Sequence, residues 1–105
     1  MPRKSMQTLS EPMYYVLLCL TKELYGTEIM NEVSRISGER IKIGPGTLYT
    51  MLDKFLNAGL IARTNQGFAP KSYIITTKGK RALREEYFRL STLISDGKEI
   101  MEVLM

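Results

Sequence analysis

The sequence predicts a mainly α-helical domain carrying one small β-hairpin (α+β), and three observations lead there. Three stretches of apolar residues recur at helical spacing, and the third opens on Gly44-Pro45-Gly46-Thr47-Leu48-Tyr49. Two short apolar runs, 60–64 and 72–76, flank a segment rich in turn formers. The end of the chain then alternates steps of four and three residues through Leu83, Tyr87, Leu90, Ile94, Gly97, Met101 and Leu104, which is a heptad seam and needs a partner helix. Helix, helix, helix, hairpin, long helix is the order of a winged helix-turn-helix followed by a C-terminal dimerisation helix.

Each element has a local cause. Ser10 suits an N-cap, and Glu11 and Pro12 suit a first helical turn. Met13, Val16, Leu17, Leu20 and Leu24 follow at helical spacing, while Tyr15, Leu18 and Cys19 make the other side apolar as well. A helix apolar nearly all round must be covered on more than one side, and a second subunit is the expected second cover. Tyr25-Gly26 breaks the pattern, and Thr27 is the expected cap of a second helix. That helix turns Ile29, Met30, Val33 and Ile36 inward and Glu28, Asn31, Glu32 and Arg35 outward, and ends at Ser37-Gly38. The third helix is expected from about Thr47 to Ala58, with Gly59 as its stop. The strands 60–64 and 72–76 enclose Asn65-Gln66-Gly67-Phe68-Ala69-Pro70-Lys71, an open-tipped hairpin. Thr77 is the expected cap of the last helix, with Gly79 an awkward residue in its first turn and Gly97 a weak point further on.

Composition narrows the function. At 105 residues the chain makes one modest core, so oligomerisation is an expected source of extra burial. The net charge of +4 suits a polyanionic partner, and its distribution says more. Residues 61–80 hold Arg63, Lys71, Lys78 and Lys80 and no acid, whereas residues 11–37 lean acidic. The chain has no histidine and one cysteine, Cys19. That removes an intramolecular disulfide, most transition-metal sites and most triad catalysis, so no cofactor, metal or catalytic residue is expected. An enzyme would have to rely on Asp53 or a glutamate, none with a second catalytic group at a recognisable spacing. The apolar run 12–20 is too short to span a bilayer and lacks a leader's cleavage site, so a cytoplasmic protein is expected.

The third helix carries the chemistry. With Leu48 at the centre of its buried face, Leu52 and Phe55 fall beside it and Met51 and Leu56 on the flanks. Gly46, Thr47, Thr50, Asp53, Lys54 and Asn57 take the far side, with Tyr49 on the shoulder. Small hydrogen-bonding side chains near a helix N-terminus suit a major groove, and a lysine and a tyrosine hydroxyl suit phosphates. An ordinary solvated face fits this helix equally well when it is taken alone.

Three stretches together resemble the PadR family of bacterial transcriptional regulators. They are Thr8-Leu9-Ser10-Glu11-Pro12 through Leu18, Tyr25-Gly26-Thr27-Glu28-Ile29, and Gly44-Pro45-Gly46-Thr47-Leu48-Tyr49. Leu52, Gly59-Leu60-Ile61, Tyr73, Ile75-Thr76 and Gly79 extend the resemblance, which covers roughly residues 8–83. The length and single C-terminal helix are similar to that family's short branch. The resemblance implies a winged-helix homodimer that represses transcription by occupying an operator. It departs at the hairpin tip, usually basic in the family, where Asn65-Gln66-Gly67 carries no charge.

On this reading residues 1–78 form an arm and DNA-binding domain and residues 79–105 the dimerisation helix. Thr47, Tyr49, Thr50, Lys54, Arg63 and Lys71 are the candidate DNA contacts, joined by Arg3 and Lys4 in the arm. Leu83, Tyr87, Leu90, Ile94, Met101 and Leu104 are the candidate dimer contacts. Several short proteins of the family bind flat hydrophobic molecules between subunits, where the first and last helices meet, so the resemblance makes Met13, Tyr14 and Phe88 candidates for a pocket taking a small hydrophobic effector; filling a dry dimer core is their alternative role. The rival function is a winged helix that binds protein rather than DNA. Against it stand the basic hairpin and the polar third helix, since a protein-binding face more often presents apolar anchors.

Overall fold

The computed structural model describes residues 8–65, 67 and 70–105. Four helices and three strands follow in the order α1 (Glu11–Cys19), β1 (Leu24–Tyr25), α2 (Gly26–Ile36), α3 (Pro45–Asn57), β2 (Ile61–Arg63), β3 (Ser72–Ile75) and α4 (Thr77–Leu104). The Ser10 hydroxyl caps α1, accepting from Met13 N at 3.3 Å. The second helix begins earlier than its sequence suggests. Tyr25, not Thr27, is its N-cap, and Tyr25 N donates to Glu28 Oε1 at 2.8 Å. Likewise α3 starts at Pro45, whose fixed φ and missing N–H suit a first helical position, so Gly44-Pro45-Gly46 is mostly helix rather than a preceding turn.

Leu24 does not continue the apolar face of α1. It lies in β1, where Leu24 and Tyr25 pair antiparallel with Tyr73 and Ser72. The sheet order is β1-β3-β2, with Ile61, Ala62 and Arg63 opposite Ile75, Ile74 and Tyr73. The core lies between this sheet and the first three helices: Val16, Leu17 and Leu20 from the α1 segment, Ile29 and Val33 from α2, and Leu48, Leu52 and Phe55 from α3 are fully buried. Cys19 is buried too, and desolvation raises its thiol pKa to about 11.

The start of α4 is held by one junction. Its N-cap is Thr76, one residue before the Thr77 expected from sequence. The Thr76 hydroxyl accepts from Gly79 N at 3.0 Å and donates to Gly59 O at 2.7 Å, while Thr76 N donates to Leu60 O at 2.9 Å. Gly79, awkward by propensity, is explained by space. A Cβ there would sit 2.0 Å from Leu60 O and 2.7 Å from Ile75 Cγ1. Beyond Leu83 the helix leaves the core and runs unbroken through Gly97 to Leu104. The Cα radius of gyration, 15.4 Å, exceeds the roughly 13 Å of a compact chain this long because α4 projects. No helix among the described residues is long and apolar enough to cross a membrane.

Gly79→Ala therefore forces Leu60 and Ile75 apart. We expect a loss of about 2 to 3 kcal/mol in urea unfolding, despite alanine's better helix propensity. An unchanged midpoint would show that the junction yields freely.

Candidate nucleic-acid interface

The exposed side of α3 comes from simple helical geometry. Leu48, Leu52 and Phe55 are fully buried and Met51 nearly so, which turns Thr47, Thr50, Asp53, Lys54 and Asn57 to solvent. None of these five side chains makes an ion pair or hydrogen bond among the described residues. On α1 and α2 several charges are internally matched. Arg35 and Lys22 hold Glu32 at 2.7 and 3.4 Å, and the Arg35 hydrogen bond draws the Glu32 pKa down to about 2. Arg40 joins the α2–α3 loop to α1, donating to Glu11 Oε2 at 3.1 Å and to the Tyr15 hydroxyl at 2.8 Å. The acids of α2 are thus engaged within the domain, and the polar face of α3 is free to engage something else.

Tyr49 occupies the shoulder of that face, 38% exposed. Its ring lies over the backbone at the start of α2: a Cβ on Gly26 would approach the Tyr49 hydroxyl to 2.4 Å and Cε1 to 3.1 Å. The Tyr-Gly pair at 25–26 and the tyrosine at 49 are therefore one packing unit, which links β1, α2 and α3. Sequence reasoning assigned Tyr49 to a phosphate and missed this contact, because nothing local connects the two motifs.

The hairpin wing is shaped by side-chain hydrogen bonds at its base. Asn65 brackets its base, accepting from Ser72 N at 3.0 Å through Oδ1 and donating to the Pro70 carbonyl through Nδ2. Thr64 Oγ1 donates to Glu23 Oε2 at 2.6 Å and hydrogen-bonds the Ser72 hydroxyl. Arg63 is half-buried on β2, with Nη2 3.5 Å from Asn65 O, and its charge reaches Tyr73. Lys71 is exposed, and its carbonyl accepts from Gly26 N at 3.1 Å. Lys78 leans instead over the C-terminal end of α3, its Cδ 3.7 Å from where a Gly59 Cβ would lie. Arg3 and Lys4 lie outside the described residues.

A helix with an exposed polar face, followed by a short hairpin, is the arrangement of a winged helix. A family model for PadR-like transcriptional regulators matches residues 16–85. The chain belongs to the PadR-like family. The solved structures agree. RosR from H. salinarum, in a complex, matches with 25% identity and a TM-score of 0.72 over 99% of this chain and 92% of that one. A PadR family transcriptional regulator from Eggerthella lenta matches with 25% identity and a TM-score of 0.69, covering 86% and 80%. F93 from STIV, a winged-helix DNA-binding protein, shares the fold at 19% identity and a TM-score of 0.66 over 83% and 96%. No curated relative matches the sequence. The family and the Eggerthella lenta protein are transcriptional regulators, and F93 is a DNA-binding protein, rather than enzymes.

The residues singled out for a ligand separate in this PadR-like fold. Met13 lines an open groove of about 780 Å³ with Ser10, Gly46, Thr47, Thr50, Met51 and Lys54. Tyr14 lines a depression of about 360 Å³ between α1 and α4, with Leu9, Glu11, Tyr15, Glu86, Arg89 and Leu90. Phe88 lines neither, standing exposed with its ring edge-on to Tyr87. Glu86, a charged residue within the seam, is only 1% exposed and takes two hydrogen bonds from Arg89, at 3.0 and 2.6 Å. Burial first, then the charges of Tyr87 and Glu86, raise the Tyr14 pKa. The apolar seam gave no sign of this carboxylate, although an arginine three residues on is the partner such burial requires.

Gly26→Ala should cost about 1 kcal/mol with Tyr49 present and little or nothing in a Tyr49→Ala background, where alanine's helix propensity prevails. A double-mutant cycle by thermal unfolding reads the coupling. Additive effects would show that the ring and the glycine are independent.

Proposed function

We propose that this PadR-like regulator is a homodimeric, sequence-specific repressor that lays α3 in the major groove and the wing along the neighbouring backbone. The single observation that carries the reading is the α3 face: Thr47, Thr50 and Lys54 are exposed on one side of the helix and make no hydrogen bond or ion pair among the described residues. Thr47 and Thr50 suit phosphate or base-edge contacts, Lys54 a phosphate, and Lys71 and Arg63 the backbone beside the wing. Tyr49 contributes from its shoulder, and Arg3 and Lys4, outside the described residues, are proposed as further phosphate contacts. A two-fold pair of such helices reads half-sites about one helical turn apart, so the operator is approximately palindromic.

The second copy is proposed to cover α4. Tyr87, Ile94, Met101 and Leu104 are exposed along the seam, Ile94 to 75%, with Leu83 and Leu90 half-buried at its start. Leu93 and Ile100 widen the exposed stripe beside it. Contiguous apolar surface of this kind marks an interface. A small hydrophobic effector that frees the operator must bind the DNA-incompetent arrangement better than the competent one. The Tyr14 depression between α1 and α4 is the proposed place, since it adjoins the helix that sets the subunit angle.

The deciding experiment is a salt titration of binding to the DNA upstream of the protein's own gene, against random DNA of equal length. Tight binding to the upstream fragment alone, one dimer per site, is expected. No binding to either at low salt would sink the repressor reading and favour a protein-binding winged helix. In Lys54→Ala, loss of one phosphate contact per subunit lowers the slope of log K against log salt by about 2 for the dimer. Ile94→Glu should give a folded monomer by sedimentation that loses operator binding as a consequence.

A further inference from the structure

Asp53 is the one acid on α3. It stands one residue before the last turn of the helix, and aspartate is a weak helix former. The neighbours three and four residues away are Tyr49, Thr50, Leu56 and Asn57, so no cation on the helix can pair with it. No hydrogen bond or ion pair holds its carboxylate among the described residues. It also brings negative charge to a face otherwise made of hydroxyls, an amide and Lys54, where it repels any docked phosphate backbone. An unpaired anion of weak helix propensity on this face gives α3 nothing in stability, and it opposes the partner the face otherwise suits.

Resting on the DNA-binding reading above, we propose that Asp53 is a specificity-determining residue that accepts a hydrogen bond from the exocyclic amino group of a cytosine in the major groove. An ionised carboxylate only accepts. In the major groove, cytosine N4 and adenine N6 donate, but adenine sets its N7 acceptor beside the donor. Guanine presents two acceptors, and thymine an acceptor and a methyl group. Asp53 therefore ranks the base it faces as cytosine, then adenine, with guanine and thymine rejected. Threonine hydroxyls both donate and accept, so Thr47 and Thr50 discriminate weakly beside it. Asp53 lies one turn beyond Tyr49 on the wing side of α3, near enough to Tyr73 for its charge to be felt there. The repulsion serves the same end. It weakens binding to every sequence, and only a duplex offering the amino group offsets the loss.

The test measures the full-length protein on duplexes randomised at each half-site position, at fixed salt, for wild type, Asp53→Ala and Asp53→Asn. Wild type should favour cytosine over guanine or thymine at one position per half-site by about five- to tenfold. Asp53→Ala should lose that preference at that position alone and bind random DNA more tightly. Asp53→Asn should move the preference to adenine, whose N6 and N7 an amide can match. An Asp53→Ala protein that binds all sequences more tightly with every base preference intact would make Asp53 a bystander and overturn the proposal. A wild-type protein with no sequence preference at any position would overturn the DNA-reading function itself, and the wild-type arm alone reports it.

Discussion

The close approach of the Leu60 carbonyl to Gly79 is the constraint on which the rest of the geometry depends. It leaves no room for a Cβ, and it brings the ends of three elements into one hydrogen-bonded knot around Thr76. The hydroxyl of Thr76 caps α4 while holding Gly59, where α3 turns into β2 with a φ of 76°. Backbone contacts of this kind have few rotamers through which to relax. The direction in which α4 leaves the core is therefore set relative to α3, and the two surfaces proposed for DNA and for the second subunit belong to one rigid piece.

Electrostatics divide the molecule in a consistent way. On α1, α2 and the first half of α4 several acids have partners: Glu11 with Arg40, Glu32 with Arg35 and Lys22, Glu86 with Arg89. Exposed pairs add little stability, but they cancel charge locally. The polar face of α3 has no such cancellation, so Lys54 and Asp53 both project their full charge outward. Lys54 favours any phosphate chain, while Asp53 opposes one, and on the proposed reading the two trade affinity against selectivity at a single surface.

Much of this was legible from residues alone, because the signals were local. The α3 stripe of Leu48, Leu52 and Phe55, the Ser10 cap and the paired runs 60–64 and 72–76 all follow from spacing and turn chemistry. What escaped was non-local. Two-residue β1 has no periodicity to show, and it exists because Leu24 and Tyr25 find the free edge of β3. Thr27 looked like a cap because its residue type is right, yet Tyr25 takes that place with help from Glu28. Gly79 looked like a defect until the Leu60 carbonyl appeared beside it. The Tyr49–Gly26 contact joins motifs that lie 23 residues apart by number, and no pattern along the chain connects them.

The two concave surfaces imply different physics for any effector. The Met13 groove shares Thr47, Thr50 and Lys54 with the proposed DNA face, so an occupant there displaces DNA by direct competition and needs no second conformation. An occupant of the Tyr14 depression touches none of those residues and acts only by favouring one arrangement of α1 and α4 over another. The rigid junction at Thr76 and Gly79 decides how such a change travels. If α4 cannot pivot on its own core, a tilt imposed at α4 carries α3 with it, and the subunits of the proposed dimer rotate against each other as whole bodies. The spacing between the two recognition helices then changes while each helix keeps its own shape, and half-site spacing is the quantity a two-fold dimer can least afford to misread.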